Sequence, residues 1–208
     1  MSNNIAVTPG AGATLKTTDH SGVHTPHHNV DVIAAGENHI GQIGWMVAVA
    51  SASFSRPADT TAYAVGDLVA NATAAASVVP MQFSVARVAD KSFRILRARL
   101  KKSGTATANA SFRIHLHRDD PSGASGIANG DNGAWLTREA SYIGAIDVTL
   151  DKAFSDGAKG IGIPNEGVAI AAVPSAGTQL VYGLIEARAA YAPASGETFT
   201  VTLEVDQD

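Results

Sequence analysis

Histidine is the residue type in this chain whose chemistry is easiest to assign, because a neutral imidazole is the commonest metal ligand in proteins. The chain has 7 histidines and no cysteine. His115 and His117 alternate with apolar residues in Ser111–His117, which predicts a β-strand with both imidazoles on one face. They are candidates for two ligands of a zinc site, or for polar residues on the outer face of a half-buried strand. The second interpretation is favoured, because no acidic pair at a suitable spacing nominates a third ligand.

A second group of histidines lies near the N-terminus, in a segment with no apolar periodicity. Pro26 prevents the regular helix that would align their imidazoles, so the group has no fixed geometry. We expect these side chains to contact a partner protein rather than a metal ion. The four candidates for partner binding are His20, His24, His27 and His28.

Other kinds of site find little support in the sequence. The loop from Asp119 to Gly133 is rich in oxygen ligands, but it lacks the alternating carboxylates and closing Glu of an EF-hand. Its Asn-Gly and Asp-Asn-Gly steps are what tight turns require. A cysteine nucleophile is excluded, and no Gly-x-Ser-x-Gly elbow or helix-opening phosphate loop occurs. We therefore expect a non-enzymatic protein with no cofactor and no metal.

One basic segment stands out in a chain of net charge −4. It comprises Arg94, Arg97, Arg99, Lys101 and Lys102, of which residues 97, 99 and 101 share one face of a predicted strand. That face could meet phosphate, an acidic subunit or solvent. A nucleic-acid-binding protein normally carries a basic surface overall, so we expect a solvated or inter-subunit face and no nucleic acid.

The elements that must position these residues are strands, because alternation of period two recurs from Gly44 onward. Trp45–Ala50 reads as an apolar strand with both faces covered, and Asp151–Lys159 holds one helical turn at most. The firmest strands are Ser111–His117 and Thr198–Val205. The other predicted strands are Met81–Val88, Ser92–Lys102, Tyr142–Leu150, Val168–Val173 and Leu180–Ala190, with a short hairpin or bulged crossing at Tyr63–Ala70.

Eight or nine strands without intervening helices predict an all-β fold, since parallel sheets need long crossovers. We expect an antiparallel β-sandwich of jelly-roll type over residues 41–208, with an open barrel as the alternative. Residues 1–40 are predicted to form an extended arm that needs a partner to become ordered. No apolar stretch reaches membrane-spanning length and no signal peptide is evident, so we expect synthesis in the cytoplasm.

Several stretches resemble a group of tailed-phage structural proteins. The resemblance lies in Phe54–Asp67, Phe93–Ser103, Asn109–His117 and Ala128–Ala134, and in the arm at Pro9–Ala13 and Gly22–His24. On these stretches the chain is similar to proteins of the capsid decoration (cement) or head-fibre type. The resemblance implies a jelly-roll fold, a homotrimer and binding to the major capsid protein on the outer capsid surface.

Composition agrees with a virion role, because only 16% of the residues are charged, as suits a surface covered by neighbours. The alternative is a sandwich associated with a tail, neck or fibre that binds a host glycan or another tail protein. For that function the exposed aromatic candidates are Trp135, Tyr142 and Tyr191. A depolymerase is a more distant third possibility.

Overall fold

The computed structural model of the protein describes residues 17–20, 23–26, 46–122, 129–135 and 141–207. Strands β1 (Thr17–His20) and β2 (Val23–Pro26) pair antiparallel as a hairpin, with Asp19 opposite His24. This hairpin and the residues from Gly44 onward form separate compact units. The sequence had indicated no strand in the predicted arm, whose remaining residues lie outside the described part. No helix among the described residues has the length and apolar character needed to cross a membrane.

The described residues of the second unit form eleven strands and one short 3₁₀ turn, Ala75–Ser77. The strands are β3 (Met46–Ser55), β4 (Leu68–Val69), β5 (Met81–Ser84), β6 (Phe93–Lys102), β7 (Ser111–His117), β8 (Tyr142–Thr149), β9 (Lys152–Phe154), β10 (Gly157–Gly162), β11 (Ile170–Ala172), β12 (Leu180–Ala187) and β13 (Thr198–Gln207). Sheet 1 has the order β3-β13-β6-β10-β9, with β11 also pairing with β6. Sheet 2 has the order β4-β12-β7-β8, with β5 also pairing with β12.

All of these pairings are antiparallel, and the two sheets pack face to face, which confirms the predicted β-sandwich. The jelly-roll form of the sandwich stays a prediction. In the firmest predicted strands, alternate side chains are fully buried: Phe112, Ile114 and Leu116 from β7, and Phe199, Val201 and Leu203 from β13. Each such side chain contributes roughly 1.5–3 kcal/mol through removal of apolar surface from water. Phe112 meets Phe199 edge to face across the two sheets, with ring centroids 5.4 Å apart.

Asp151–Lys159, which was expected to hold one helical turn at most, holds none: β9 and β10 form a hairpin there that the sequence did not indicate. Glycines explain why the sequence did not indicate β10 and why this strand lies so close to β8. A Cβ atom on Gly160 would lie 2.1 Å from the carbonyl oxygen of Thr149, and one on Gly162 would lie 2.1 Å from that of Asp147. Since β10 crosses the backbone of β8 so closely, inward positions 160 and 162 must be glycine, and the strand therefore shows no apolar periodicity.

The prediction that the first sandwich strand is covered on both faces is also wrong. In β3, Val47 and Val49 are 65% and 59% exposed, while the core-facing positions before Phe54 are small residues such as Ala50. Val and Ala alternate here without a polar face, so the sequence did not show which face is buried. The strand pairs along its whole length with β13, from Thr198 opposite Ser55 to Gln207 opposite Met46.

A buried ionic network joins the loop after β3 to the loop at 129–135. Arg56 and Asp131 form a salt bridge of 3.0 Å, and their side chains are 0% and 1% exposed. Tyr63 accepts a hydrogen bond from Arg56 Nε (2.7 Å) and donates one to Asp131 Oδ1 (2.6 Å). The backbone N–H of Ala70 donates to the same oxygen (2.8 Å). Burial and the hydrogen bond to Asp131 raise the pKa of Tyr63, so it stays a neutral donor.

We predict that Asp131→Ala destabilises the protein by about 3–5 kcal/mol, because it removes the buried carboxylate that pairs with Arg56 and leaves the hydroxyl of Tyr63 and the N–H of Ala70 without an acceptor. Chemical denaturation followed by circular dichroism measures this change. Asp156→Ala is the matched control: its carboxylate is 70% exposed, and we expect a change of less than about 1 kcal/mol. Equal losses in the two variants would contradict the importance of the network.

Candidate functional site

The two histidines of β7 lie on the outer face of sheet 2, opposite in direction to Phe112, Ile114 and Leu116. In the register, His115 is flanked by Ala145 of β8 and Leu184 of β12. His117 is flanked by Tyr142 and Tyr182. Although they face away from the core, the two residues are only 7% and 1% exposed. Something other than the core must therefore cover them.

The cover is aromatic. The indole ring of Trp135 stacks on the imidazole of His115, with centroids 4.2 Å apart and planes at 14°. Tyr142 approaches both imidazoles, at 5.8 Å from His115 and 5.5 Å from His117. Trp135 also packs on a small second core that comprises Leu68, Ala70, Val78 and Leu184. We call His115, His117, Trp135, Tyr142 and Glu186 the histidine–aromatic cluster.

Glu186 supplies the charge of this cluster and is 7% exposed. Its carboxylate lies 2.8 Å from His115 Nε2 and accepts a hydrogen bond of 2.9 Å from Arg188. Burial lowers the pKa of His115, and this outweighs the opposing effect of Glu186. The imidazole is therefore neutral near pH 7, donates from Nε2 to Glu186 and keeps a lone pair on Nδ1.

Two polar atoms of the cluster need a partner that the described residues do not supply. His115 Nδ1 and Trp135 Nε1 are buried, and neither forms a hydrogen bond within the described ranges. A histidine held by a carboxylate through one nitrogen is the usual arrangement around a metal ion. However, no group of three or more His, Cys, Asp or Glu side chains suited to a metal occurs among the described residues. A metal held by His115 and His117 was the alternative that the sequence did not favour, and the described residues add no third ligand to it.

Beside the cluster, Tyr142 is 43% exposed at the mouth of a groove of about 330 Å³ that also includes Asn165, Glu166 and Ile170. A neighbouring depression contains Arg113 and Asp147, whose side chains form two hydrogen bonds, of 2.6 and 2.8 Å. Polar groups next to an exposed aromatic ring can bind a sugar. The prediction that Tyr191 is an exposed aromatic residue is wrong. Its side chain is 1% exposed, and its hydroxyl donates a hydrogen bond to Glu197 (2.5 Å).

A second candidate surface is the unpaired long side of β3, which we call the β3 edge. Its ten residues contain no charge and no proline, and the pairing with β13 on the other side has no bulge. No other strand in the described part of the chain pairs with β3. Proteins usually protect such an edge with charged residues, prolines or bulges, because a free row of N–H and C=O groups accepts another strand.

The remaining predicted residues fall in different places. His20 and His24 lie in β1 and β2, and His27 and His28 lie outside the described residues. Arg97 and Arg99 share the outer face of sheet 1, where both bond to Glu204. Lys102 is buried instead, and its ammonium contacts Glu197 (3.0 Å).

The sequence did not identify Glu186 as a residue of the site. The one feature that could have indicated it is a carboxylate in the otherwise uncharged strand Leu180–Ala187.

We predict that protein stability falls as the pH is lowered below about 6.5, the pKa of an unperturbed histidine. Between that value and the lowered pKa of folded His115, the unfolded state binds more protons, so acid favours unfolding. His115→Gln should weaken this pH dependence. Urea denaturation at a series of pH values, followed by tryptophan fluorescence, measures it. The same slope in both proteins would mean that His115 is not the group responsible.

Comparison of the chain with protein-family models, with curated protein sequences and with solved structures finds no match.

Proposed function

We propose that the protein is a non-enzymatic structural component of a virion, which decorates and stabilises the outside of a tailed-phage capsid. In this proposal it binds the major capsid protein and further copies of itself, with three copies in the assembly. The resemblance of the sequence to phage decoration proteins suggests the setting. The observation that carries the proposal is the β3 edge, since a ten-residue strand with one side that no described strand pairs with is suited to protein–protein contact.

The β3 edge can bind a partner without any special side-chain chemistry. At about 3.3 Å per residue, ten residues present roughly 33 Å of backbone donors and acceptors. A strand added there would gain main-chain hydrogen bonds along its length. The exposed side chains of Val47 and Val49 lie on the outer face of the same strand, so a partner that covers the edge can bury apolar surface too.

In this proposal, residues 1–40 act as an arm that binds the capsid. A segment that packs on a partner on either side of the β1–β2 hairpin covers a wide surface and can connect several capsid subunits. If three copies associate, each bound arm raises the effective concentration of the others. In this arrangement the sandwich, of jelly-roll form, provides the folded body, and His20, His24, His27 and His28 contact the capsid.

We predict that the double substitution Val47→Lys/Val49→Lys abolishes binding to heads, because two ammonium groups would have to be desolvated beside an added strand. Both valines are exposed, so folding should be unaffected. The number of copies per head, measured by gel densitometry of purified particles, gives the result. Val65→Lys/Val79→Lys is the matched control, with two valines that are each 63% exposed outside β3. Full occupancy by the β3 variant would refute the role of the edge.

A second candidate function is glycan recognition by a tail-, neck- or fibre-associated protein. The specific observation that favours it is that Tyr142, which is 43% exposed, lines one groove together with Asn165 and Glu166. An aromatic face with nearby carboxylate and amide groups matches the apolar face and hydroxyls of a sugar ring.

If this function is correct, a glycan array gives a defined hit that Tyr142→Ala removes, since the sugar loses its stacking surface. Phe154→Ala is the control, because that ring is also about half exposed, at 47%, but lies on sheet 1. Absence of any hit with the wild-type protein, or equal loss in both variants, would count against glycan recognition.

A further inference from the structure

The outer face of sheet 1 carries three lysines in one row across three adjacent strands. Lys101 of β6 is directly opposite Lys159 of β10, and Lys159 is directly opposite Lys152 of β9. On the other side of Lys101, the row continues with Thr200 of β13. Directly opposite side chains have Cβ atoms about 4.5–5.5 Å apart. Three positive charges are thus held close together by the register of the backbone.

Such a row destabilises the free protein, because like charges directly opposite in a sheet repel each other. Compensation is partial. Lys101 lies 3.4 Å from Asp156 and Lys152 lies 3.0 Å from Asp151, but both pairs are solvent-exposed, where ion pairs contribute little. Within the described part of the chain Lys159 forms no salt bridge, and its ammonium lies 5.0 Å from the ring centre of Phe154.

The neighbouring cations on the same face show the contrast. Arg97 and Arg99 both bond to Glu204, whose pKa is lowered mainly by the hydrogen bond from Arg97. In the arginine half, two guanidiniums share one nearly buried carboxylate. In the lysine half, both acidic partners are solvent-exposed and Lys159 has none of its own among the described residues. A face that only meets solvent does not require lysines with weaker ion pairs than the neighbouring arginines. A binding surface does, because its cations must stay available to a ligand.

The lysines surround a groove with a partly apolar lining. The groove has a volume of about 330 Å³ and contains Lys101, Lys152 and Lys159 together with Phe154, Ile161 and Thr200. Phe154 and Ile161 are 47% and 59% exposed, so apolar surface is left in water next to the cations. We call this site the lysine groove. Its occupant should carry negative charges and an apolar group a few ångströms apart.

We infer that the lysine groove binds a short acidic segment of a partner protein, with its carboxylates on the three lysines and an apolar side chain against Phe154. The charge pattern favours a short segment over a long polyanion. Asp151, Asp156 and Glu204 border the patch and would repel a nucleic acid or an acidic polysaccharide that ran beyond it. The net charge of −4 of the whole chain also repels a long polyanion. The inference deepens the proposed function, since it gives the chemistry of one contact on the partner.

The test uses a fluorescein-labelled peptide, Glu-Glu-Phe-Glu-Glu, and its counterpart with Gln at every Glu, titrated with the full-length protein in a fluorescence anisotropy assay at low ionic strength. We expect the acidic peptide to bind, the Gln peptide not to bind, and added salt to weaken binding. Lys152→Gln/Lys159→Gln should weaken binding about tenfold or more. Its melting temperature should equal or exceed that of the wild type, because the repulsion in the row is relieved.

Arg87→Gln/Lys91→Gln is the matched control, since it removes two exposed cations elsewhere and changes the net charge equally. Similar loss of binding in both variants would overturn the inference, as would a lower melting temperature of the groove variant. Tighter binding of heparin or DNA than of the peptide, reversed by the groove variant, would also overturn it. If heads are decorated normally but the peptide does not bind, the lysine groove is refuted while the proposed function stands.

Discussion

The salt bridge between Arg56 and Asp131 is the interaction on which the candidate site depends. Asp131 anchors the loop 129–135 beneath the end of β3, and the loop is then paired with the chain around β4, through Asn132 N–H to Leu68 C=O (2.9 Å) and Trp135 N–H to Gly66 C=O (2.6 Å). Those bonds bring the indole of Trp135 over His115. A charge pair in the interior thus determines what lies on the outer face of sheet 2.

Charge is distributed unevenly in this protein. Arg56–Asp131 and Lys102–Glu197 are fully buried pairs, each completed by a tyrosine hydroxyl, from Tyr63 and Tyr191 respectively. Burying such pairs costs desolvation that only good geometry offsets, so they specify one arrangement of loops more than they add stability. In contrast, lysines on sheet 1 remain in water without full compensation. The interior has well-matched charges, and the unmatched charges lie at the surface, where a partner can reach them.

Large apolar residues at alternate positions allowed the sequence to predict the sandwich. Phe112, Ile114 and Leu116 define β7 unambiguously, because only a strand places them on one face. Where small residues replace them, prediction failed. Gly160 and Gly162 hide the strand β10, since a close backbone approach selects for the absence of a side chain. In β3 the alanines and valines are too similar in character to indicate the covered face.

The candidate site was only partly predictable. The sequence placed His115 and His117 on one face of β7, as their spacing requires, but nothing local indicated that Trp135 would cover them. Asp131 illustrates the limit best. Asn132 next to it does adopt the positive φ of a turn (63°), as the Asp-Asn-Gly pattern predicts. The carboxylate of Asp131, however, bonds to a guanidinium 75 positions away, and no short-range pattern carries that information.

The position of β13 has a consequence for how the chain reaches its native state. This strand lies between β3 and β6 and pairs with both, yet it comes last of the three in the chain. During synthesis β3 therefore waits, with both long sides unpaired, until residues 198–207 have left the ribosome. Closing a sheet over such a sequence separation is slow, and uncharged strands are prone to associate during the delay. The same uncharged strand that leaves an edge without a described partner in the folded protein is thus a hazard in the nascent one.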